Sequence, residues 1–130
     1  MKNETVFGIR DIITLRGLGF TKTSTVDEWG TNVGNSFFYI FKRSGVYNLS
    51  KNRETLFYSA LLKDVFWEFK SMYVEETTIK LAKDLNEQNN DRDGDANTYY
   101  AIRDLIDKLN PAQTVAVVNA IKNNLTKIHQ

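Results

Sequence analysis

Phe37, Tyr39 and Phe41 alternate along one short segment, and Lys42 and Arg43 follow at once. Rings at every second residue of a strand share a face. A row of rings beside cations can stack unpaired bases and hold the phosphates between them. The same rings would serve equally as core beneath covering helices. Exposure separates the readings. Buried rings belong to the core. Rings exposed beside positive charge suit nucleic acid. Rings exposed beside apolar or acidic surface suit a protein.

Other motifs carry less chemistry. The segment 37–43 resembles the aromatic strands of RNA recognition modules, but it lacks their glycine-containing signature and the element order differs. Asn89-x-Asp91-x-Asp93-Gly94-Asp95 resembles the first half of an EF-hand loop, with oxygen ligands at alternate positions and glycine at the sixth. The likeness then stops. Ala96 stands at the eighth position, and Tyr100 stands where a bidentate glutamate would complete the shell. No metal and no cofactor is expected. There is no cysteine, and the sole histidine, His129, is penultimate. Thiolate catalysis and Cys-based zinc sites therefore have no residues to build them, and without His129 there is no Ser-His-Asp arrangement and no His-based metal site. Gly17-x-Gly19 lacks the third glycine of a dinucleotide fingerprint. Asp27-Glu28 and Glu75-Glu76 read as a loop and a helix start. Enzymatic activity is not expected.

Two tryptophans stand apart. Trp29 falls in a glycine-punctuated stretch, 26–35, and is expected to plug the core. Trp67 lies with Leu56 and Ala60 on a second apolar ridge of a helix, expected beneath another element. Either one, if exposed, would anchor a partner, since tryptophan is enriched at binding hot spots. The candidate binding residues are thus Trp67, Trp29, Phe37, Tyr39, Phe41 and Arg43.

The elements that must position them follow from periodicity. A first helix is predicted over 4–16, striped by Val6, Ile9, Ile12 and Ile13 and stopped at Gly17 and Gly19. Leu18 and Phe20 then fold back on the core, and 20–25 reads as a strand. Residues 36–51 form a hairpin about Ser44-Gly45. In that register Phe38 and Ile40 share a face with Tyr47 and Leu49, while Phe37, Tyr39, Phe41 and Arg43 share the other with Val46 and Asn48. Residues 55–73 read as the central helix, capped by Ser50 or Asn52. Its stripe is Tyr58, Leu61, Leu62, Val65, Phe66, Phe69, Met72 and Tyr73. A break is expected near 74–77, because the same wheel would bury Glu76, Lys80, Lys83 and Asp84. A fresh register of Val74, Thr78, Leu81, Ala82 and Leu85 follows. After a polar connection, 86–97, a helix over 98–109 turns Tyr99, Ile102, Leu105, Ile106 and Leu109 inward. Asn110-Pro111 opens a last helix to 128, burying Val117, Val118, Ile121, Leu125 and Ile128.

The expected fold is a single α+β domain over 1–130: an N-terminal helix, a small antiparallel sheet with a hairpin at about 36–50, then a mainly helical half with three to four helices. With 42% hydrophobic and 25% charged residues the composition is that of a globular chain. A net charge of +1 gives no global field toward nucleic acid or membrane. No signal peptide and no membrane-spanning run is visible, so a cytoplasmic protein is expected. The leading functional expectation is a non-enzymatic module that binds another protein or itself. That profile is common among regulatory and inhibitory adaptors, including those of phages and mobile elements. The alternative is single-stranded nucleic-acid binding through the aromatic and basic hairpin face.

Overall fold

Turn chemistry and alternation build the first half of the chain. The computed structural model describes residues 7–25, 27–89 and 95–128. The elements are α1 (Ile9–Gly17), β1 (Thr21–Lys22), β2 (Glu28–Val33), β3 (Ser36–Arg43), β4 (Val46–Lys51), β5 (Glu54–Ser59), α2 (Leu62–Asn89), α3 (Asp95–Ile106) and α4 (Pro111–Ile128). The fold is α+β: in chain order an N-terminal helix, then the sheet, then a helical C-terminal half. Two compact units are distinguished, Met1–Phe69 and Lys70–Gln130.

In the first unit, β1 to β5 form an antiparallel sheet in chain order. Ser44 and Gly45 both take positive φ, 55° and 82°. That matches the right-handed twist of the flanking strands. The hairpin has the expected register: Ile40 opposes Leu49, Lys42 opposes Tyr47, Phe41 opposes Asn48 and Arg43 opposes Val46. Phe38, Ile40 and Leu49 are fully buried. Phe69 of α2 meets Phe38 and Phe20 edge-on, with ring centroids 5.4 and 4.8 Å apart. Leu15 and Leu18 join this core.

Several expectations for this unit are corrected. The stretch 26–35 holds a strand, β2, because its alternation of Trp29, Thr31 and Val33 matches the inward face of β3. On α1 the expected stripe fails: Ile9 and Ile13 are exposed, and Leu15 is the buried residue of the helix. The central helix does not begin at 55. Asn52 and Arg53 adopt positive φ, 52° and 75°, and turn the chain back into β5. Asn52 extends the β3 pairing: its amide donates to the Phe37 carbonyl at 2.8 Å, and its Oδ1 accepts from the Phe37 amide at 2.9 Å. Ser50 lies within β4, so neither residue caps a helix. Ser59 serves the start of α2 instead. Its Oγ accepts from the Leu61 amide and donates to Asp64 Oδ2, at 3.1 and 3.0 Å. Tyr58 and Leu61, expected in the core stripe, are exposed.

Helix α2 continues into the second unit without the expected break. Its buried positions come as Leu62, Val65–Phe66, Phe69–Lys70, Tyr73–Val74, Thr77–Thr78 and Leu81–Ala82. Each four-residue step overshoots a full turn by about 40°. A fixed wheel therefore drifts off the buried stripe. Thr77 and Thr78 can be buried because their hydroxyls donate to the Tyr73 and Val74 carbonyls, at 2.7 and 2.6 Å. Lys70 is buried with Nζ donating to the Leu109 carbonyl at 2.6 Å. The start of α4 is as expected. Asn110 Oδ1 accepts from the Gln113 amide, and Gln113 Oε1 accepts from the Asn110 amide. Ile102, Ile106, Val115 and Val118 are buried, whereas Leu105 is half-exposed and Val117 and Ile121 are partly exposed. Burial of Thr114, whose Oγ1 donates to the Asn110 carbonyl at 2.9 Å, turns the α4 stripe away from the expected positions. The side chains of Leu125 and Ile128 lie outside the described residues.

Candidate ligand-binding face of the sheet

Alternation gives the sheet a second face, directed away from the Phe38–Ile40–Leu49 core. Cross-strand pairing lays it out in rows. One row is Thr21, Gly30, Tyr39, Ser50 and Thr55. The next is Glu28, Phe41, Asn48 and Tyr58. Phe37 and Arg43 stand at either end of β3. The three β3 rings are half-buried, so this face is neither core nor bare.

The rings are held in place. Phe37 and Tyr39 stack on each other, centroids 4.8 Å apart at 27°. They close over Gly30, where a Cβ would lie 3.0 Å from Phe37 Cε1 and 3.1 Å from Tyr39 Cδ1. Only glycine leaves room for that pair. The Arg43 guanidinium sits over the Phe41 ring, 5.1 Å from its centroid.

These rings floor an open depression of about 750 Å³. Its charged lining is Lys22, Arg43 and Arg53 against Glu28. Glu28 is engaged locally: Thr23 Oγ1 donates to its Oε1 at 2.8 Å. Lys22 Nζ donates to the Thr23 and Thr25 carbonyls, both at 3.3 Å, which fixes the rim of the depression. The arrangement offers flat apolar surface and cations.

Of the six candidate residues, the structure brings Phe37, Tyr39, Phe41 and Arg43 together here. Trp29 is corrected. It opposes Ile40 on the inward face and is only 5% exposed. Arg16 lies over it, 5.8 Å from the ring centroid. It fills the core, as the plug reading expected. Trp67 is on α2, not on the sheet. It is 48% exposed, which corrects the expectation that another element buries it. The sequence reading missed Tyr58, Arg53 and Lys22. The available signal was the β-favouring run Thr55–Tyr58 directly after an asparagine turn position.

The shifted titrations lie elsewhere. Burial pushes the Tyr73 phenol up to about 12. Burial lowers Lys70; Asp107 opposes that and Arg103 adds to it. Both residues belong to the packing of the second unit. Among the described residues, no group of three acidic or histidine side chains could hold a metal ion. Residues 90–94 of the EF-hand-like stretch, and His129, lie outside the described residues. Among the described residues no helix is long and apolar enough to cross a membrane. No protein-family model, curated protein or solved structure matches the chain.

Proposed function

We propose that the chain is a non-enzymatic binding module whose outward sheet face takes single-stranded nucleic acid. The carrying observation is the depression itself: three partly exposed rings with Lys22, Arg43 and Arg53 against one carboxylate. Bases stack on aromatic rings with little regard to sequence, and the cations track phosphates. The test is fluorescence anisotropy with a labelled oligothymidylate and an oligouridylate at low salt. Binding is expected, and it should fall at least ten-fold in Phe41→Ala/Arg43→Ala, which circular dichroism should find folded. Failure of both oligomers to bind sinks the reading.

Protein binding is the second reading, and Trp67 supports it. A half-exposed tryptophan is a common interface anchor, and its truncation costs about 2–4 kcal/mol of binding where it serves as one. In that case the chain acts as a regulatory or inhibitory adaptor, toward another protein or a second copy of itself, within the cytoplasm. Capture of a protein partner that survives nuclease and is lost in Trp67→Ala would favour it.

A further inference from the structure

We infer that Tyr58 is a stacking position of this face, adding a nucleotide site at its β5 edge; this rests on the nucleic-acid reading above. The first argument is availability. Phe37 and Tyr39 each cover one face of the other. Arg43 occupies a face of Phe41. Tyr58 is 67% exposed, far more than any of the three. It stands in the row of Phe41 and Asn48, two strands from Phe41, a separation of about 10 Å.

The second argument is how the chain aims it. Thr55 opposes Ser50 and Tyr58 opposes Asn48, so both lie on the outward face although three residues apart. A regular strand would put them on opposite faces. The register shift between Leu49 and Ser50 leaves Leu56 without an opposite residue, and this bulge reverses the alternation. Phe57 is thereby placed on the face of Leu49 and the core, and Tyr58 on the outward face that carries Asn48 and Phe41. Bulges that re-aim one side chain are found beside binding sites. Arg53, in the turn that opens β5, supplies a cation to the depression.

The experiment titrates oligothymidylates of graded length against the full chain and its Tyr58→Ala, Tyr58→Thr and Tyr58→Phe variants. The wild type should gain affinity at a length where one further base reaches Tyr58. Tyr58→Ala and Tyr58→Thr should lose that gain, about ten-fold at the longest oligomer, and match wild type at the shortest. Tyr58→Phe should retain it. If the wild type binds but both truncations follow it at every length, Tyr58 is idle and the inference is overturned. Loss in Tyr58→Phe equal to that in Tyr58→Ala overturns stacking in favour of the hydroxyl. If the wild type binds no oligomer, the underlying reading itself has failed.

Discussion

Gly30 carries more of the site than any side chain near it. Its missing Cβ is the space over which Phe37 and Tyr39 stack. In Gly30→Ala the new methyl would press on ring atoms of both at 3.0–3.1 Å. The rings can yield only by separating, because the backbone beneath them is fixed by pairing to β1 and β3. The expected result is a loss of about 1–3 kcal/mol in urea melts, together with weaker oligomer binding. Lys63→Ala, at an exposed helix position, should stay within about 0.5 kcal/mol of wild type. Equal losses in the two variants would mean that the stacked pair is not braced by Gly30. The reach of sequence reasoning is also clearest at this scale. Alternation alone placed Phe37, Tyr39, Phe41 and Arg43 on one face, since a period of two needs no tertiary information. It could not show that Gly30 lies beneath them, because that depends on which residue of β2 opposes Tyr39.

At the scale of elements, the β3–β4 hairpin was legible because Ser44-Gly45 offers a residue suited to positive φ. The β4–β5 hairpin was not, because its turn is Asn52-Arg53. Arginine at φ 75° is an unfavoured choice, and the chain around it reads equally well as the start of a helix. Helix α2 was misread for a different reason. Its buried stripe drifts with each four-residue step and includes Thr77 and Thr78, whose hydroxyls are satisfied within the helix. A wheel of fixed phase sees a break where none exists. The Asn52-Arg53 turn supplies a prediction of its own. Asn-Gly is the favoured sequence for such turns, so Arg53→Gly should stabilise the fold by up to about 1 kcal/mol. It also removes a cation from the depression. Thermal melts should therefore show a more stable protein while anisotropy shows weaker oligomer binding. A variant that gains stability and keeps full affinity would remove Arg53 from the site.

For the whole molecule, a net charge of +1 provides no global field toward nucleic acid. Any affinity for nucleic acid must come from where the cations sit. Lys22, Arg43 and Arg53 line one depression, and that local concentration predicts a specific salt response. Each phosphate neutralised on a single strand contributes about −0.7 to the slope of log K against log salt. Three contacts give a slope of about −2. Replacing Arg43 or Arg53 by Ala should each make the slope shallower by about 0.7. Replacing Lys83, an exposed residue of α2, changes the net charge by the same amount and should leave the slope unaltered. Anisotropy titrations at several salt concentrations decide between the two behaviours. A slope that responds to net charge wherever it is removed would mean diffuse attraction, not a site. A flat slope with binding intact would mean that the rings hold the bases without phosphate contacts from Lys22, Arg43 and Arg53.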